Sequence, residues 1–234
     1  MPRTIAQKKK NVPIVRNIVK RGMELGSKIK PNRPPAVISH HKAFHKLLNK
    51  ARATAFGKHY QFNEILKAED PEEAFRALVP LSDYDGMRPW WERAEAGEND
   101  VTWPGRVKYF ALSSGTSGAP SKHIPITTAM IKAIRRASIR QLVSLRKYDL
   151  DPSIYRKQIL TLSGSTQLQD FGHHFRGDLS GINVKELPLY ARVFNKPEKH
   201  IAQAPDWEER LRKMGVAAPK WDIGIVAGVP AWFQ

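Results

Sequence analysis

The stretch SSGTSGAPSK, from Ser113 to Lys122, gathers groups that can hold a polyphosphate. Gly115 and Gly118 let the backbone approach an anion and turn N–H groups toward it. Ser113, Ser114, Thr116 and Ser117 add hydroxyl donors, and Lys122 supplies one compact positive charge. The loop follows an apolar, strand-like segment and comes shortly before a helix, whose amino end favours anions through its dipole. Its spacing excludes the two commonest nucleotide loops. Counted from Gly115, G-x-x-x-x-G-K-[ST] asks for Gly, Lys and Ser or Thr at 120, 121 and 122, where this chain has Pro, Ser and Lys. The dinucleotide pattern G-x-G-x-x-G is not matched either. A plain connector can share this composition, so the loop alone leaves both readings open.

Other chemistry-bearing residues offer less. His41 and His45 share a helical face, and His173 and His174 with Asp178 form a possible ligand set, but no H-E-x-x-H is present. These histidines read as solvated or capping residues, and no metal ligand is assigned. The segment LSGST around Ser163 lacks the G-x-S-x-G elbow of a serine hydrolase. With no cysteine in the chain, thiolate nucleophiles, thiolate metal sites and disulfides are all excluded. No catalytic residue is assigned.

The elements that must position the loop follow from periodicity and punctuation. After PNRPP, the segment HHKAFHKLLNKARATAFG repeats Phe44, Leu47, Leu48, Ala51 and Ala55 at helical spacing, with Gly57 as the expected C-terminal cap. In EDPEEAFRALVP, Asp70 is an N-cap and Pro71 opens a helix that turns Phe75, Leu78 and Val79 inward. A third helix carries Trp90 and Trp91 and ends at Gly97; paired tryptophans read first as packing. VTWPGRVKYFAL is a turn at Pro104-Gly105 followed by a strand. Beyond the loop, Thr127 or Thr128 caps a long basic helix with Ile131, Ile134, Leu142 and Leu145 on one side. QILTLSG reads as a strand and GHHFRGDLSG as a loop. A helix near DWEERLRKMG leads to KWDIGIVAGVPAWFQ, which alternates Ile223, Ile225 and Ala227 as a buried-looking strand. Because that strand and Trp232 and Phe233 fall at the last residues, the sequence reads as a fragment.

The whole chain has 234 residues, 41% hydrophobic and 26% charged, sufficient for one large domain or two small ones. No run of eighteen apolar residues and no secretory leader is present, which argues against a membrane span and for the cytoplasm. The formal charge of +17 makes anionic partners the first to consider. From Met1 to Arg33 there are ten basic residues against one acid, Glu24. Residues 1–35 therefore read as a basic arm, without the interleaved aromatics of a base-stacking platform. An α/β organisation follows for 36–234: a helical opening region at 36–100, a strand-loop-helix region at 101–150 and sheet-forming segments at 151–234.

The loop, with LLNKARATAFGKHYQF, LVPLSDYDGMRPWWERAEAGENDVTWPGRVKYFALSSGTS and WDIGIVAGVPAWF in that order, resembles the acyl-adenylate-forming superfamily. More narrowly it is similar to the auxin-responsive acyl-acid amido synthetase family and its bacterial relatives, over nearly everything from Phe44 onward. The second glycine, Gly118, stands one place earlier than in plant members, and His123 follows the lysine where an apolar residue is common. The resemblance implies the amino-terminal half of an acyl-adenylate-forming enzyme: helices first, then a mixed or parallel sheet with flanking helices. It implies ATP-dependent adenylation of a carboxylic acid and conjugation to an amino acid by a monomer. Ser113, Ser114, Gly115, Thr116, Ser117, Gly118 and Lys122 would hold the ATP phosphates, with Mg²⁺ bridging. Ser163, Gly164 and Phe171 are candidates to line the acyl site. The adenine, ribose and metal motifs and the carboxy-terminal domain lie outside this chain, so the piece alone is expected to catalyse little. The rival reading, a basic nucleic-acid-binding module, rests on charge and lacks any recognition signature.

Overall fold

A computed structural model describes residues 34–113, 121–148 and 150–233. They divide into two compact units whose segments alternate along the chain. One, here the hairpin unit, consists of Asn32–Thr128 and Leu168–Gly177; the other, the parallel unit, contains Ala129–Gln167 and Asp178–Gln234. The mixed α/β character expected from the sequence is present, with helices preceding the sheets. Among the described residues no helix is long and apolar enough to cross a membrane.

The hairpin unit opens with α1 (Ala36–Ala51), and here the expected helix breaks earlier than its periodicity suggested. Thr54 is buried: its hydroxyl donates to the Ala51 carbonyl at 2.6 Å and accepts from the Gly57 N–H at 3.0 Å. It thereby caps a new short helix, α2 (Ala55–His59). Gly57 is therefore not a C-cap but an interior residue of α2, where a Cβ would lie 2.2 Å from the Ala51 carbonyl oxygen. Then come α3 (Phe62–Lys67), too short for its period to show in sequence, and α4 (Pro71–Leu78). Asp70 caps α4 as expected, accepting from the Glu72 and Glu73 N–H groups at 2.9 and 3.0 Å. Phe75 and Val79 pack inward against Leu48, Ala51, Phe62 and Ile65, whereas Leu78 is exposed, because eight residues bury only a narrow stripe.

The helix α5 (Tyr84–Glu95) is capped by Asp83, which accepts from the Gly86 N–H at 2.9 Å. Trp90 packs on Ala94, Val101, Val107 and Phe110, and Trp91 meets the Tyr84 ring edge-on at 5.3 Å, so both tryptophans serve packing. Gly97, at φ +92°, follows the helix end. The sheet of this unit has the order β2-β1-β5-β4, from β1 (Tyr109–Leu112), β2 (His123–Ile126), β4 (Gln169–Asp170) and β5 (Phe175–Gly177). β1 pairs antiparallel with β2 and parallel with β5. Tyr109, Phe110 and Ala111 are buried, as a strand flanked on both sides requires. Part of GHHFRGDLSG, expected to be all loop, is thus the strand β5, with a helix starting two residues later.

In the parallel unit β3 (Gln158–Thr161) lies between β6 (Asn195–Lys196) and β7 (Ile223–Ala227), paired parallel to both. The long basic helix α6 runs from Thr128 to Ser144, burying Ile131. It is followed by α7 (Leu179–Lys185), α8 (Leu189–Arg192), α9 (Lys199–Ala202) and α10 (Trp207–Ala217). Asp206 caps α10, accepting from the Glu209 N–H at 2.7 Å. Leu162, Ile201 and Met214 form the centre, with Leu160, Trp207 and Trp221 around it. The strand β7 exists as expected but is not buried: it is the edge of its sheet among the described residues, and Val226 is half-exposed.

Candidate functional site

The loop SSGTSGAPSK springs from the β1–β2 hairpin. In the ladder Leu112 stands opposite His123, and beyond it the Ser113 N–H donates to the Lys122 carbonyl at 3.0 Å. The two described ends of the loop are therefore joined by one hydrogen bond at the root of the hairpin. Ser114, Gly115, Thr116, Ser117 and Gly118 lie outside the described residues. The long basic helix α6 begins at Thr128, shortly after the loop as expected, but a strand that the sequence reading did not name, β2, lies between them. HIPI hid that strand, since Pro125 cannot donate to a ladder and is tolerated because β2 is the sheet edge among the described residues.

Both ends of α5 reach this root. At its start, Tyr84 places its ring 4.9 Å from Lys122 Nζ, and its hydroxyl oxygen accepts from the His123 N–H at 3.0 Å. At its end, Glu95 Oε1 lies 2.9 Å from His123 Nδ1, 2.9 Å from Arg176 Nε and 3.6 Å from His174 Nε2. None of these approaches to Glu95 Oε1 has the alignment of a hydrogen bond, so its attraction to the Arg176 guanidinium is chiefly coulombic. Arg176 Nε also donates to His174 Nε2 at 3.1 Å. A nitrogen that accepts carries no proton, so His174 is neutral with its hydrogen on Nδ1. Its surroundings agree: burial pulls its pKa below the ordinary imidazole value, against the pull of Glu95, and Arg176 adds to the depression. Phe110 meets the His174 ring edge-on at 4.9 Å.

The residues proposed for an acyl site have separate settings. Phe171 is exposed, stacks parallel to His174 at 5.3 Å and carries the Arg176 guanidinium 3.9 Å from its ring centre. Ser163 is buried, and its hydroxyl donates to the Gly164 carbonyl at 3.0 Å. The Gly164 N–H donates to the Ser180 hydroxyl at 2.9 Å, and a Cβ there would meet the Asp178 carboxylate at 2.1 Å. These bonds hold Ser163 and Gly164 in the parallel unit, while Phe171 belongs to the hairpin unit.

His41 is engaged by Glu72 at 2.7 Å, and among the described residues no three His, Asp or Glu side chains are grouped to hold a metal. Sequence reasoning overlooked Tyr84, Glu95 and Arg176. Their only signal was His123, a polar residue where an apolar one is common, and a lone polar residue does not name its partners.

Comparison with known proteins fits this architecture. The model of the GH3 family N-terminal domain matches residues 35–214. A solved structure described as GH3.15 acyl acid amido synthetase superposes with a TM-score of 0.52 at 19% identity, covering 76% of this chain and 33% of that one. A second, described as AtGH3.15 acyl acid amido synthetase in complex with 2,4-DB, gives a TM-score of 0.45 at 17% identity, covering 76% of this chain and 28% of that one. At 19% identity the likeness to the first structure speaks to fold alone, and this chain spans about a third of that structure's length.

Proposed function

The chain belongs to the GH3 family, and on that premise we propose that it forms the amino-terminal part of an ATP-dependent acyl-acid amido synthetase. The reaction has two steps. A carboxylate oxygen of the acid attacks the α-phosphorus of ATP and expels pyrophosphate; an amino acid's amine then attacks the acyl carbon and expels AMP. A carboxylate becomes a useful acyl donor only with a good leaving group, so the protein's task is to align it and offset developing phosphate charge. Ser113, Ser114, Gly115, Thr116, Ser117 and Gly118 hold the β- and γ-phosphates, and Lys122 offsets their charge. Mg²⁺ arrives with the nucleotide, and no side chain of this chain is assigned to it. Ser163, Gly164 and Phe171 remain candidates for the acyl site. The protein acts as a cytoplasmic monomer.

The observation that supports this reading most is the hairpin root, where Ser113 and Lys122 are tied by a backbone hydrogen bond. Such a tie brings the loop's first hydroxyl and its lysine to one place. Titration of this chain with Mg–ATP tests the reading. Lys122→Ala should weaken binding roughly ten- to hundredfold, the worth of a charged hydrogen bond. Equal binding by the variant would sink it. This length of chain alone should show no acid-dependent exchange of pyrophosphate into ATP. The net charge of +17 keeps a nucleic-acid module as the second reading. Steeply salt-dependent DNA binding, together with ATP binding indifferent to Lys122→Ala, would favour it.

A further inference from the structure

We propose that Tyr84 is a positioning residue for Lys122, holding the ammonium over its ring while its hydroxyl pins the next residue's backbone. The inference deepens the phosphate-loop reading and rests on it for its functional meaning, though not for its geometry. Lysine is a point charge on a flexible four-carbon stem, and an exposed one wanders through many rotamers. Here the charged tip and the backbone each have a partner. Lys122 Nζ lies 4.9 Å from the Tyr84 ring centre, where the negative face of the ring attracts a cation. The Lys122 carbonyl accepts from the Ser113 N–H, and the following N–H, that of His123, donates to Tyr84 Oη. One side chain thus fixes both the charged tip and the backbone beside it.

The arrangement is built to hold Tyr84 itself in place. Asp83 caps the helix directly before it, and Trp91, further along α5, packs edge-on against its ring. At the far end of the same helix Glu95 attracts the His123 imidazole. The helix therefore grips His123 by backbone at one end and by side chain at the other. That grip gives His123, a departure from the apolar residue common at its place, a structural reason. A tyrosine is required for the double role: phenylalanine keeps the ring, and leucine keeps neither ring nor hydroxyl.

Competitive labelling of lysines with acetic anhydride, read by mass spectrometry on the whole chain, separates the possibilities. Tyr84→Leu should raise Lys122 labelling about two- to fivefold, the loss of one exposed cation–π contact. Lys67, paired with Glu64 on α3, is the internal reference and should not change. Tyr84→Phe should restore wild-type labelling of Lys122 while the His123 amide exchanges its hydrogen about two- to tenfold faster. Unchanged Lys122 labelling in Tyr84→Leu, or equal gains in both variants, overturns the proposal. Should Tyr84→Leu fail to fold, Tyr84→Phe alone decides: an unchanged His123 amide overturns it, and a faster one with steady labelling supports it. Mg–ATP added to the wild type tests the other reading separately. Absence of protection at Lys122 would remove the phosphate site while leaving the positioning contact standing.

Discussion

In the hairpin unit a buried carboxylate oxygen, that of Glu95, faces two histidines and an arginine. In the parallel unit a buried guanidinium, that of Arg210, instead donates to the Ala204 carbonyl at 2.8 Å and lies 5.0 Å from the Trp207 ring centre. Burial pulls the pKa of Arg210 down, opposed by the more distant charges of Asp178 and Asp206. Both are costly placements, but they are compensated differently. A cation held by one carbonyl and an aromatic face, with its Nε buried and unpartnered among the described residues, is a local fastening within one stretch of chain. An anion serving residues from β2 and β5 ties separate segments together, and the segments it ties include the root of the loop. The contrast teaches where to look for function: where buried charge links strands to an exposed loop.

The largest expected effect tests whether the loop depends on its strand. Phe110 is fully buried on β1, so Phe110→Ala should destabilise the chain by about 3–5 kcal/mol in urea unfolding. It should also alter Lys122 labelling under native conditions; a loss of stability with unchanged labelling would break the link between strand and loop. Next comes Glu95→Gln, expected to cost about 1–3 kcal/mol because the Arg176 guanidinium loses its carboxylate partner. The same variant should disturb Lys122.

Acidification probes that cluster without mutation. His174 has a folded-state pKa below its unfolded value of about 6.5, so the unfolded chain binds more protons in that interval. Stability should then be fully present above about pH 6.5 and decline as pH falls through and below it. His174→Gln should flatten that part of the profile; an unaltered slope would show that His174 is not the titrating group.

Smaller effects belong to the parallel unit. Asp206→Ala, which removes the cap of α10, should cost about 1 kcal/mol. Arg210→Met should change stability by less than about 1 kcal/mol, since relief of desolvation offsets the lost hydrogen bond. Neither should move Lys122 labelling. If Arg210→Met costs as much as Glu95→Gln, the proposed difference between the two kinds of compensation disappears.

Much of this fold is written locally and was readable. Asp70 and Asp206 each stand three residues before a glutamate at a helix start, and each caps its helix. The strands β3 and β7 show as apolar runs or alternations of four and five residues. Elements whose reasons are tertiary were not readable. β5 has three residues and no period; it is a strand because β1 lies beside it. The break at Thr54 depends on that side chain being buried against its own turn. At the site, composition exposed the loop, since glycines, hydroxyls and a lysine are conspicuous together. Glu95 looks like any helical surface glutamate, and only the fold brings His123, His174 and Arg176 to it.

The parallel pairing of β1 with β5 bears on how the protein is made. Tyr109 is synthesised long before its ladder partner Phe175, and the intervening chain from Ala129 to Gln167 belongs to the other unit. That other unit in turn awaits Asp178 and the residues after it. On the ribosome, β1 and β2 emerge as a two-stranded ribbon, an arrangement marginal by itself in water. One edge of β1 stays open to stray pairing until residue 177 has left the tunnel. The hairpin unit, whose last residue is Gly177, can therefore close before the parallel unit, and until it does the buried strand β1 is unguarded along one edge.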